Sequence, residues 1–174
     1  WPSVTPTPVS TVPGPAPITQ LYTSTEGKFS IHYPQPWHTG SDTPGGYVLF
    51  WARETDDPFS TGFAVASTAS SGWRPSREVL DDFKAALPGL FSAVMAGASF
   101  TWDNNIVPVT LGGQLAVEDY GYVQSGGTNR DRLRAQAVFV GSRDYLVLVW
   151  APPTLWSSEQ PQLDSLIATL SFLP

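Results

Sequence analysis

Residues 136–152 constrain the fold more than any other part of this chain. They read Gln-Ala-Val-Phe-Val-Gly-Ser-Arg-Asp-Tyr-Leu-Val-Leu-Val-Trp-Ala-Pro. Two apolar, β-branched and aromatic runs flank the polar break Gly141-Ser142-Arg143-Asp144, a pattern that predicts a β-hairpin. The second arm, residues 145–150, is apolar at nearly every position. A strand covered on one face alternates apolar with polar, so this one is predicted to be buried on both, as a central strand with a layer above and another below.

The rest of the chain supplies those layers. Phe29, Ile31 and Tyr33 alternate with Ser30 and His32, predicting a half-buried strand stopped by Pro34 and Pro36, after which Trp37 folds back over the sheet. Residues 47–53 and 62–68 read as further strands. Residues 76–95 carry Val79, Leu80, Phe83, Leu87, Leu90, Phe91 and Val94 on one helical stripe, with Glu78, Asp81, Asp82 and Lys84 opposite and Pro88-Gly89 expected to kink or break the helix. Short extended pieces at 99–102 and 105–111 precede a long antiparallel pair, 114–124 and 130–140. After Pro152-Pro153 comes a second helix, with Ser157 or Ser158 as the expected N-cap, Ser157 and Gln160 as a capping box, and Leu163, Leu166, Ile167 and Leu170 as the buried stripe. Hairpin-linked strands covered by two amphipathic helices give an α+β class, a largely antiparallel sheet sandwiched between helices.

Residues 1–20 are organised differently. The first 17 hold six prolines, five Ser/Thr and no charge. Proline supplies no N–H, so this stretch is expected to be extended and solvated, a tether or linker ahead of a single domain at 21–174. The chain starts at Trp1 and its one methionine is Met95, so it is expected to be a processed or trimmed form, held at a bacterial membrane through a missing N-terminal anchor. The absence of cysteine removes disulfides and thiolate chemistry. A net charge of −6 argues against nucleic acid as a partner. No run of about 18 uncharged apolar residues exists to span a bilayer as a helix.

Candidate chemistry is sparse. His32 and His38 would need a carboxylate such as Asp42 to converge on an ion, and their spacing lacks the regularity of a zinc signature, so no metal or other cofactor is expected. No serine sits in a Gly-x-Ser-x-Gly or Ser-x-x-Lys motif, and Glu118 and Asp119, adjacent on a strand, point to opposite faces; no catalytic residue is assigned. Arg130, Arg132 and Arg134, spaced by two, form a possible anion-binding stripe. Hairpin registration about Gly127 places Tyr122 opposite Arg132 and Tyr120 opposite Arg134, with Glu118 diagonal to Arg134, so that cross-strand pairs consume the arginines and the structural reading is favoured. Of six tryptophans weighed as a ligand platform (37, 51, 73, 102, 150 and 156), Trp51 and Trp150 read as core. Trp73 and Trp102, flanked by polar loop residues, are the expected exposed pair and the candidate partner surface.

The domain also resembles the PsbP-like family, which includes the extrinsic oxygen-evolving-complex subunit of photosystem II and many bacterial relatives. The resemblance runs over about residues 21–173. At the front it rests on Tyr22, Glu26-Gly27-Lys28-Phe29, Ile31, Tyr33-Pro34 and Trp37. At the back it rests on Gly112-Gly113, residues 118–120, 130–134 and 138–140, then 145–149, Ala151-Pro152, Trp156, Leu163, Ile167 and Ser171-Phe172. These are strand, turn and capping positions. The resemblance implies a sheet between helices, an extracytoplasmic location and lipoprotein-type anchoring. The leader differs from the photosystem subunit's tail and its metal-binding residues find no match, so a photosystem role is not implied. The expectation is a non-enzymatic extracytoplasmic interaction domain, an accessory protein contacting a membrane or envelope protein complex. The alternative is a domain binding a small or apolar ligand in a pocket between sheet and helix.

Overall fold

The structure, a computed structural model, describes residues 16–40, 48–51, 60–91 and 97–174, with the backbone alone at 49 and 51. The central strand lies where the apolar run places it. β10 (Arg143–Ala151) is hydrogen-bonded to β9 (Thr128–Val140) on one side and β5 (Gly62–Ala69) on the other. The sheet continues outward through β4 (Val48–Trp51) and β3 (His38–Thr39) on the β5 side. On the β9 side it continues through β8 (Gln114–Ser125), whose outer edge is shared by β6 (Ala98–Trp102) and β7 (Val107–Leu111). Every strand pairing among the described residues is antiparallel.

Both faces of β10 are buried, against different partners. Leu146, Leu148 and Trp150 join Ala64, Ala135 and Leu133 under α1 (Ser76–Phe91). Tyr145, Val147 and Val149 join Phe63, Val65 and Val138 on the opposite face, under α2 (Trp156–Ile167) and a small sheet of β1 (Ile18–Ser24), β2 (Phe29–Pro34) and β11 (Ser171–Phe172). The α+β sandwich is therefore a sheet with one helix on one face, and a helix plus a three-stranded sheet on the other. Phe29 and Ile31 are buried in that second layer, as alternation along β2 requires, and Trp37 joins them after a turn in which its N–H donates to the Pro34 carbonyl.

Several local expectations are corrected. β1 begins at Ile18, among residues read as tether, and Gln162 Nε2 donates to the Ala16 carbonyl. α1 continues through Pro88 to Phe91, because the proline falls in the last turn between the buried anchors Leu87 and Phe91; residues 92–95 lie outside the described residues. Leu90, expected on the buried stripe, is exposed. α2 starts at Trp156 with Leu155 as its N-cap and no side-chain cap, so neither Ser157 nor Ser158 caps it and the capping box does not form. A turn bond from Leu155 N–H to the Pro152 carbonyl delivers the chain into the helix before the serines, and the Ser158 hydroxyl donates to the Leu155 carbonyl. The expected strand at 47–53 is described only as β4.

Candidate functional site

The β8–β9 hairpin sets the polar positions. Its turn is Gly126-Gly127, both at positive φ, which a two-residue hairpin turn favours glycine to adopt. The register pairs Tyr122 with Arg132 and Tyr120 with Arg134, and Glu118 with Gln136. The Arg132 guanidinium lies 4.6 Å from the Tyr122 ring centroid and 5.2 Å from that of Tyr120. Its Nη2 donates to Asp103 at 2.6 Å. That hydrogen bond holds the Asp103 carboxyl below the usual range against the opposing effect of burial. Arg130 is exposed where the hairpin register shifts. Arg132 and Arg134 thus engage different carboxylates, Asp103 and Asp164.

Glu118 and Asp119 diverge to opposite faces. Asp119, fully buried on the α1 side, binds Lys84 and accepts from the N–H groups of Asn105 and Tyr120. Glu118, on the α2 side, accepts from Gln136 Nε2 at 2.7 Å.

Arg134 is the centre of that second cluster. Its side chain is 7% exposed, and Nη2 meets Asp164 of α2 at 2.6 Å while Nε lies 3.8 Å from Glu118. Burial alone would lower its pKa; Asp164, Tyr120 and Glu118 reverse that and keep it raised. Burial raises the Tyr120 hydroxyl pKa, with Arg134 partly offsetting it. Beside the cluster a cleft of about 410 Å³ lies between the Gly112-Gly113 turn and the C-terminal end of α2, lined also by Thr110, Arg134, Gln136, Asp164, Ile167, Ala168 and Leu170. Buried Arg134 Nε and Gln136 Oε1 have no hydrogen-bond partner among the described residues.

Gln136 and Asp164 complete the cluster and belong to no motif in the sequence. The alternation Arg132, Arg134, Gln136 puts the glutamine on the arginine face and was a usable signal. No local signal points to Asp164, because it meets Arg134 only through the docking of α2.

The two tryptophans expected to be exposed separate. Trp73 is 78% exposed. Trp102 is half-buried: along β6, Ala98, Phe100 and Trp102 face the α1-side core, and the Lys84 ammonium lies 4.8 Å from the indole centroid. Trp150 is core, Trp156 packs edge-on against Tyr120, and the side chain of Trp51 lies outside the described residues. His32 and His38 are both exposed, on β2 and β3, and Asp42 lies outside the described residues. Among the described residues no three or more His, Cys, Asp or Glu side chains are grouped to hold a metal.

No family model matches this chain, and no curated protein matches it in sequence. Solved structures do match. The solution structure of cyanobacterial PsbP from Synechocystis has a TM-score of 0.63 at 14% identity, covering 88% of this chain and 91% of that one. A crystal structure from Bacteroides thetaiotaomicron gives 0.59 at 18% identity, covering 88% of this chain and 48% of that one. LpqN, involved in cell envelope biogenesis of Mycobacterium tuberculosis, gives 0.54 at 14% identity over 84% of this chain and 83% of that one. At such identities the likeness is one of fold, and the fold is PsbP-like.

Proposed function

We propose that this chain is a non-enzymatic interaction domain working outside the cytoplasm, a lipoprotein-type accessory protein that its proline-rich leader tethers to a bacterial membrane and that contacts a membrane or envelope protein complex. The observation that carries the reading is Trp73. Its indole stands in solvent on a segment pinned at both ends: Ser70 N–H donates to the Ser142 carbonyl, and Arg74 bridges Asp82 and Asp144. The exposed Leu115 belongs to the same corner, its carbonyl accepting from the Ser76 hydroxyl at the start of α1. Large apolar side chains held rigidly in water are what binding hot spots are made of. The likeness to cyanobacterial PsbP and to an envelope-biogenesis protein supports the extracytoplasmic part of the reading.

The test is retention of membrane proteins, solubilised in detergent from the source cell, on the immobilised chain. A defined membrane or envelope protein, retained by the parent and lost with Trp73→Ala, is the expected result. Equal retention by both removes Trp73 from the surface, and no retention at all sinks the reading. Trp102→Ala is a poor companion because Trp102 packs against the core.

A second reading, binding of a small ligand between sheet and helix, is favoured by the cleft beside Arg134. That cleft is lined by Thr110, Arg134, Gln136 and Asp164 beside Ile167 and Leu170, with no Trp or Phe, so a polar ligand suits it better than an apolar one.

A further inference from the structure

We infer that the cleft between the Gly112-Gly113 turn and the end of α2 binds a small neutral ligand through a hydroxyl or carboxamide group held by Arg134 and Gln136. The inference rests on the ligand-binding reading above and names its chemistry.

The hydrogen-bond inventory points to both partners. The Arg134 guanidinium has a side-on fork, Nε–H and Nη2–H, suited to two parallel bonds. Asp164 Oδ1 takes Nη2 at 2.6 Å, whereas the nearest carboxylate to Nε, that of Glu118, is at 3.8 Å, beyond hydrogen-bond range. Gln136 spends Nε2 on Glu118, which fixes the orientation of its amide and leaves Oε1 as a buried acceptor with no hydrogen-bond partner among the described residues. One unused donor and one unused acceptor thus lie two residues apart on one strand face, about 7 Å along the strand. A carboxamide, or two neighbouring hydroxyls, supplies the matching acceptor and donor.

Charge selects a neutral ligand. The cluster holds one cation, Arg134, and two carboxylates, Glu118 and Asp164, and the carbonyl end of α2 adds partial negative charge with no basic residue in its last turn. An anion would meet these and the bare Gln136 oxygen; a cation would meet the Arg134 N–H. The volume suits a small molecule, and Ile167 and Leu170 offer an apolar wall for its C–H face. Arg134 Nε and Gln136 Oε1 are both buried, so the ligand reaches them as Asp164, half-exposed and bound to Nη2 through one oxygen, moves aside.

The experiment is an amide-resolved NMR titration of the 174-residue chain with methyl glucoside, acetamide, acetate and methylammonium. Expected are shifts of the Gly112, Gly113 and Ala168 amides with a neutral probe, at millimolar affinity for molecules this small, and binding roughly tenfold weaker for the two ions. Contacts from the neutral probe to the Ile167 methyls place it in the cleft without recourse to a variant, and Gln136→Met, its fold checked by its own spectrum, abolishes the shifts. Acetate or methylammonium binding there as well as the neutral probes would overturn this inference and leave the cleft a ligand site. No shift in the cleft with any probe would overturn both. Retention through Trp73 is independent of either result.

Discussion

Arg134 is the residue whose replacement tests the physical picture most sharply. Arg134→Met keeps most of the aliphatic stem and removes the charge from a side chain that is 93% buried. Its two carboxylate partners then fare differently. Asp164 is 49% exposed and is rescued by water, so its loss of a partner costs little. Glu118 is about 10% exposed and keeps the Gln136 amide and the Tyr120 hydroxyl as partners, neither of which carries a compensating charge. Breaking a buried pair so that a charge is left behind costs about 3–5 kcal/mol, and in a chain of this size that lowers Tm by on the order of 10 °C. Replacing both members, Glu118→Gln with Arg134→Met, removes the stranded charge while Gln136 can still donate to the new amide. The double variant is therefore expected to recover about 2–3 kcal/mol over Arg134→Met alone, a coupling typical of residues in one network. Urea denaturation followed by tryptophan fluorescence, run on parent, both single variants and the double variant, measures it. A double variant no more stable than Arg134→Met would refute the reasoning, because the cost would then come from packing rather than from an uncompensated charge.

Three other perturbations are informative. Gly121→Ala places a Cβ 2.1 Å from the Thr101 carbonyl oxygen, in backbone of the adjacent strand that cannot swing aside; the β6–β8 pairing should part locally, with hydrogen exchange faster at residues 98–102 than at 145–150, and unchanged exchange in β6 would contradict the geometry. Leu163→Ala, at a fully buried position of α2, should cost about 2–5 kcal/mol in the same urea assay, and a loss under about 1 kcal/mol would mean α2 is not anchored through that position. Asp103→Asn probes pH. The Arg132 hydrogen bond depresses the carboxyl pKa in the fold, so its contribution is present above the unfolded value of about 3.9 and is lost as pH falls through the lower folded value. With Asp103 40% exposed the effect is under about 1 kcal/mol. Parent and variant should differ at neutral pH and converge in acid, and a gap that widens in acid would reverse the assignment.

Much of the layered architecture is legible in the chain because it follows from periods of two and of 3.6 residues. Alternation and registration about Gly127 place Tyr120 opposite Arg134 and Tyr122 opposite Arg132; the two-residue Gly126-Gly127 turn alone would pair Tyr120 with Leu133, and the register shift between Val123 and Gln124 supplies the extra residue that sets the observed pairs. The apolar run at 145–150 likewise requires cover on both faces. Period-two reading also held the answer for Trp102, since Phe100 and Trp102 share a strand face, but its polar neighbours Asp103-Asn104 made it look exposed.

What the chain order does not contain is how the layers are set against one another. Asp164 reaches Arg134 only because Leu163, Leu166 and Ile167 seat α2 on the sheet in one rotation, and the cleft exists only as the space left between that helix and the Gly112-Gly113 turn. The start of α2 is decided by the Pro152–Leu155 turn and by packing of Trp156 on Tyr120, which override the serines that local chemistry favours as caps. The third strand of the small sheet, β11, pairs with β2 across most of the chain. Local periodicity chooses the face each residue presents; non-local packing, which has no period in the sequence, chooses the partner that face meets.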